Sequence, residues 1–197
     1  MHKLLLDLPT HLETERLTVR CYQHGDGTLY YDLCQRSKMH LTPFEADNPI
    51  HFVNSPDDAE ILMRRFILSW AARDAFFFGA WDKSTGAFTA QIYVGVINWS
   101  QREFELGYIV DPAQQGKGYV TEAARAVLGW IFRHLNARRV RLACNEANVR
   151  SWHVAERLGF KREGLMRQTH DDILLSDGTP SGDYVYGLLR AEFENGA

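Results

Sequence analysis

The chain has 197 residues, of which 45% are hydrophobic and 12% aromatic, and a formal charge of −3. That length suits one domain over 1–197 with a substantial core, the composition excludes a disordered chain, and the small net charge gives no general preference for nucleic acid. Three cysteines lack metal-ligand spacing, and Leu4-Leu5-Leu6 is cut short by Asp7 and Pro9. We therefore expect no bound metal, no signal core or membrane span, and a reducing, cytoplasmic location.

In chain order, a first strand near Leu17–Cys21 leads through His24-Gly25-Asp26-Gly27 into a helix over Thr28–Arg36. The stretch from Lys38 to Asn54 has two prolines and no clear period, which predicts a loop forming one wall of a cleft. Ser55-Pro56-Asp57-Asp58 then supplies an N-cap, a proline at the first helical position and an acidic third residue. Ala59, Leu62, Met63, Phe66, Ile67 and Trp70 follow on one face of this second helix. Strands over Ala75–Trp81 and Phe88–Trp99 flank a hairpin turn at 82–86, and a further strand, Glu103–Val110, follows the polar turn at 100–102.

Residues 104 to 121 run from that last strand through a glycine-punctuated turn into a helix whose apolar face is Val120, Ala123, Ala124, Val127, Leu128, Ile131 and Leu135. The first N–H groups of a helix have no intrahelical partner, and the macrodipole leaves partial positive charge there. Gly116 and Gly118 remove side chains that would keep an anion from the backbone. A glycine pair before a helix is also what any tight turn requires, so the pair alone identifies nothing. Beyond it lie a strand over Arg139–Asn145, a short helix from Asn148 closed by Gly159-Phe160, a strand after Phe160, and a closing strand over Asp183–Arg190. The elements describe a mixed sheet flanked by helices.

In these segments the chain resembles the GNAT superfamily of acyl-CoA-dependent N-acetyltransferases, in the RimJ/RimL-like branch of ribosomal-protein N-terminal acetyltransferases. The resemblance is carried by 12–20, Glu105-Leu106-Gly107-Tyr108, 115–123, Asn148-Val149-Arg150-Ser151 and 158–164, which together span most of the chain. It implies an α+β fold with a mostly antiparallel twisted sheet of about six to seven strands, about four helices, and a splay between the fourth and fifth strands. It also implies direct transfer of an acetyl group from acetyl-CoA to a primary amine, which could be a protein N-terminus or a small molecule. One position departs from the pattern: the family usually carries glycine or alanine where Val120 stands. A branched side chain there would narrow the groove and favour a short acyl group.

The resemblance places the pyrophosphate of the coenzyme on the backbone of Gln115, Gly116, Lys117, Gly118, Tyr119, Val120 and Thr121. It lays the pantetheine arm along Ile109 and Val110, and brings Asn148 and Ser151 to the cofactor. Asn148 also suits a plain N-cap. Ser151 would protonate or hydrogen-bond the departing thiolate, although a serine on a helix surface looks the same in sequence. Glu105 is the candidate base for the incoming ammonium, directly or through water; a structural ion pair is the competing assignment, and an amine arriving neutral needs no base. Tyr108, His153 and Tyr186 are weaker candidates.

The cationic cluster Arg133, His134, Arg138, Arg139 and Arg141 reads as a solvated helix end or as an attractant for an anionic cofactor. Loops at 38–54 and 169–182, with Asp47, Asp57, Asp58, Asp171 and Asp172, are candidate acceptor walls, though such acids are usually solvated. A nucleoside triphosphatase loop is excluded because Gly118, not Ser or Thr, follows Lys117, and a dinucleotide fingerprint lacks its third glycine. A catalytically silent acyl-CoA-binding sensor or interaction module is the alternative function, and a monomer or homodimer, without nucleic acid or membrane partners, is expected.

Overall fold

A computed structural model of the chain describes residues 2–45 and 48–196. The first half holds β1 (His11–Glu13), β2 (Leu17–Cys21), α1 (Gly27–Leu41), α2 (Pro56–Ala72), β3 (Ala75–Asp82), β4 (Phe88–Asn98) and β5 (Glu103–Val110). The second half holds α3 (Tyr119–His134), β6 (Arg139–Asn145), α4 (Val149–Arg157), β7 (Lys161–Leu174), β8 (Pro180–Leu189) and α5 (Arg190–Asn195). All eight strands join one sheet in the order β1-β2-β3-β4-β5-β6-β8-β7.

Alternation along the strands gives the sheet two buried faces. Phe76, Phe78, Ile92, Val94, Phe104 and Leu106 pack under the apolar stripe of α3. There Trp130 sits 5.1 Å from both Phe76 and Phe78 and 5.6 Å from Trp70 between ring centroids. On the opposite face Tyr30 of α1 and Met63 and Phe66 of α2 pack with Tyr22 and Ile109. Ser55 and Asp58 close the capping box of α2, and the aromatic triplet 76–78 divides between the two faces.

The expected splay is present, between β5 and β6, because β1 adds a strand ahead of the expected first one. β5 stays in register with β4 as far as Ala90↔Val110, but it pairs with β6, in parallel, only through Glu103↔Arg139, Phe104↔Val140 and Glu105↔Arg141. β6 is instead held along its length by β8, from Arg139↔Leu189 to Asn145↔Asp183. Beyond Glu105 the two strands diverge, and one backbone edge of β5 faces the gap.

Several elements differ from expectation. The first helix runs on to Leu41 because Ser37 and Leu41 continue its buried face, while Gln35 and Lys38 both donate to the Val53 carbonyl. β1 and α5 are short additions, and the segment 169–182 is not a loop wall: most of it extends the β7–β8 hairpin.

Candidate active site

The turn before α3 is anchored from two sides. Asp111, only 2% exposed, accepts from the Ala113 N–H at 2.9 Å and pairs with Arg36 of α1 at 2.5 Å. On the other flank, Arg16 donates to the Lys117 carbonyl at 2.9 Å and pairs with Glu122, in the first turn of α3, at 2.6 Å. Glu122 also accepts from the Thr14 hydroxyl at 2.6 Å and the Arg16 N–H at 2.9 Å. Burial pushes the Glu122 carboxyl upward, but these donors outweigh it and hold the group below the usual carboxylate range.

Between these anchors the backbone takes angles that glycine alone adopts at little cost. Gly116 has φ +76° and Gly118, the N-cap of α3, has φ +80°. Nothing lies within 4 Å of the position a Cβ on Gly116 would occupy. A ligand can therefore approach the main chain there closely, at a helix N-terminus with its unpaired amides.

In front of this turn a cavity of about 510 Å³ is lined by Tyr108, Ile109 and Val110 of β5, by Gln115, Gly116, Gly118, Tyr119, Val120 and Thr121, and by Asn148, Ser151 and Val154. A second cavity of about 430 Å³ lies across the splay. The two share Glu45, Tyr108, Ile109 and Ser151 as common lining, so they adjoin at Tyr108 and Ser151.

At that junction Asn148 caps α4 by accepting from the Ser151 N–H at 3.2 Å, the capping role the sequence suggested, while also lining the groove. The Tyr108 hydroxyl donates to the Ser151 carbonyl at 2.7 Å, and the Ser151 hydroxyl lies 3.4 Å from the Tyr108 oxygen. Burial raises the Tyr108 phenol well above its ordinary range, against a smaller opposing effect of the Ser151 contact. Burial likewise pushes the neighbouring Cys144 thiol up to about 11, which leaves it neutral and a poor nucleophile near pH 7. Glu105 lines the second cavity and also pairs with Arg141 at 3.4 Å, the ion pair that was the competing assignment from the sequence.

The remaining candidates divide. Lys117 does not line the groove: its carbonyl is taken by Arg16 and its ammonium donates to Gln114. The Tyr119 hydroxyl donates to Asp82 at the end of β3, which engages its polar tip. Val120 is 8% exposed and belongs to the core packed by α3 while also lining the groove. Tyr186 is fully buried and lines neither cavity, whereas His153 lines the groove.

The cationic cluster at the end of α3 also lies away from the groove: Arg139 pairs with Glu103 and Glu163, and Arg141 with Glu105. Asp57 and Asp58 belong to the first turn of α2, and Asp171 and Asp172 are exposed on β7. None of these four lines the second cavity, where the carboxylates are Glu45 and Glu105. Asp47 lies outside the described residues. The stretch 38–54 does contribute a wall, through Leu41 at the end of α1 and Glu45, Asn48 and Pro49 beyond it.

Sequence reasoning missed Arg150 and His40. The Arg150 guanidinium donates to the Gln115 side-chain carbonyl at 2.7 Å, and the Gln115 amide meets His40 Nε2, also at 2.7 Å. Burial, with a smaller effect of Arg150, lowers the His40 pKa and favours the neutral ring that can accept from Gln115. The signal for Arg150 was its position: a cation in the first turn of a helix opposes the macrodipole and calls for an anion nearby.

A family model described as "Acetyltransferase (GNAT) domain" matches residues 16–161. The chain belongs to the GNAT acetyltransferase family. The ribosomal protein uS5-alanine N-acetyltransferase of Escherichia coli is 29% identical over 174 residues, covering 85% of this chain and 84% of its own. Among solved structures, the ribosomal-protein-S5-alanine acetyltransferase of Vibrio fischeri superposes with a TM-score of 0.81 at 22% identity, over 94% of this chain and 99% of that one. RimJ of Mycobacterium smegmatis, in complex with CoA-disulfide, gives 0.79 at 20% identity, over 98% of this chain and 91% of that one. This GNAT chain is thus an N-acetyltransferase by family, with acetyl-CoA as its co-substrate. Among the described residues no group of His, Cys, Asp and Glu is placed to hold a metal ion, and no helix is long and apolar enough to cross a membrane.

Proposed function

We propose that the protein transfers an acetyl group from acetyl-CoA to a primary amine by direct attack within a ternary complex. The observation that carries this reading is the meeting of two cavities at Tyr108 and Ser151, one backed by the glycine turn and the other by Glu105. The main-chain amides from Gly116 to Thr121, at the N-terminus of α3, hold the diphosphate, while the Gln115 N–H is already given to the Pro112 carbonyl. The splayed edge of β5 at Ile109 and Val110 offers its main chain to the pantetheine amides, as an added strand would be received. When bound, acetyl-CoA supplies a thioester already activated toward amines.

The residues at the junction have separate tasks. Glu105 accepts the proton that the ammonium must lose. Ser151 donates its hydroxyl hydrogen bond toward the thiolate side of the reaction, with Tyr108 fixing the turn that carries it. Neutral Cys144 is a poor candidate for a covalent acyl carrier, which favours direct transfer. Positioning supplies the largest share of the acceleration, up to roughly 7–11 kcal/mol, with proton transfer adding roughly 10²- to 10⁴-fold. The name of the Escherichia coli relative makes a protein N-terminus one acceptor to test, and a cytoplasmic location suits it. Thiol release from acetyl-CoA over a panel of amines tests the reading: wild type turns over and Ser151→Ala is slowed at least tenfold. Coenzyme binding without thiol release for any amine would instead identify a silent binding module.

A further inference from the structure

We infer that the acceptor is a primary amine bearing an aromatic or comparably bulky apolar group, which the second cavity receives on a floor formed by Phe77 and Tyr93. This rests on the transfer reading above and names its substrate class. Two glycines build the floor. A Cβ on Gly95 would lie 2.5 Å from the Tyr93 hydroxyl and one on Gly107 would lie 3.3 Å from its ring, so the Tyr93 ring spreads along the sheet where larger residues would lift it away. Tyr93 is 5.0 Å from Phe77, and Phe77 stacks on Phe66 at 3.7 Å with an interplanar angle of 10°. Phe77 and Tyr93 remain half-buried, so this aromatic row presents surface to the cavity rather than being sealed in the core.

Charge in the cavity matches the proposed ligand. Glu45 and Glu105 line it, and no lysine, arginine or histidine does so among its described lining residues. Glu105 already carries Arg141 at 3.4 Å, so the rings set the preference: the ammonium sits at the Glu105 end, beside the Ser151 and Tyr108 junction, while an apolar substituent removes water from the rings beyond. A small, polar amine would leave that aromatic surface wet and gain only the charge interaction.

Calorimetry of the CoA-saturated protein with phenethylamine and ethylamine tests the assignment. The wild type is expected to bind phenethylamine about 10- to 100-fold more tightly. Phe77→Leu and Tyr93→Leu are expected to cut that preference below about threefold while CoA binding stays unchanged. Equal binding of the two amines by the wild type, or a preference undiminished in both variants, would overturn the inference. Thiol release measured in parallel separates it from the reading beneath it. Phenethylamine bound without thiol release refutes transfer but upholds the cavity, and equal turnover of both amines upholds transfer but refutes the cavity.

Discussion

The hydroxyl of Tyr108, on β5, donates to the carbonyl of Ser151, on α4, at 2.7 Å, and this bond spans the gap that opens where β5 and β6 part company. It ties the strand that borders the coenzyme groove to the helix that carries the candidate acid. Removing the Ser151 hydroxyl by Ser151→Ala should lower kcat about 10- to 100-fold with little change in acetyl-CoA affinity. Tyr108→Phe should lower kcat by a similar or smaller factor by loosening the turn. Steady-state kinetics beside coenzyme calorimetry checks both, and a loss confined to affinity would assign these residues to binding alone.

Because burial raises the Tyr108 phenol far above its ordinary range, the donor stays protonated throughout the accessible alkaline range. The kcat profile of the wild type should show no falling limb through pH 10. A descending limb that disappears in Tyr108→Phe would contradict this.

Gly118 holds φ +80° at the N-cap of α3. Gly118→Ala forces a Cβ into the left-handed region at a cost of about 1–2 kcal/mol, beside the Arg16 guanidinium that anchors the turn. Coenzyme affinity should fall at least tenfold by calorimetry, more than the fall in thermal stability alone explains.

Glu122 collects the Thr14 hydroxyl, the Arg16 N–H and the Arg16 guanidinium. Glu122→Gln should destabilise the protein by about 1–2 kcal/mol near pH 7. With its pKa depressed in the folded state, the carboxylate contributes stability that is fully present above its unfolded value, roughly 4.3, and is lost as pH falls through the folded value. Denaturation curves of wild type and variant should therefore converge in acid; a gap that persists at the lowest pH would contradict the assignment.

Arg150 stands at the groove mouth on Gln115. Arg150→Ala should weaken coenzyme binding several-fold and flatten its dependence on salt, since one cation facing an anionic ligand is lost. Titrations at two ionic strengths measure this.

The parts of the site written in local chain geometry were legible in the sequence. Gly116 and Gly118 announce left-handed backbone before a helix, and Asn148 with Ser151 announces a cap. The splay was not visible in residue spacing and came from family resemblance, because it depends on β6 finding β8 as its long partner. Tyr108 was underrated and Arg150 missed for the same reason: each is placed by a contact across the fold, with Ser151 43 residues away and Gln115 35 residues away. The cationic run near Arg139 was misleading as charge counting, since its partners Glu103 and Glu163 arrive from other strands.

The central claim is that the main-chain amides leading into α3 grip coenzyme A. Titrating ¹⁵N-labelled protein with coenzyme A and following the backbone amides from Gly116 to Thr121 measures this directly. The account predicts that these amides shift most, together with those of Ile109 and Val110. Shifts concentrated elsewhere, with the glycine turn unmoved at saturation, would contradict it.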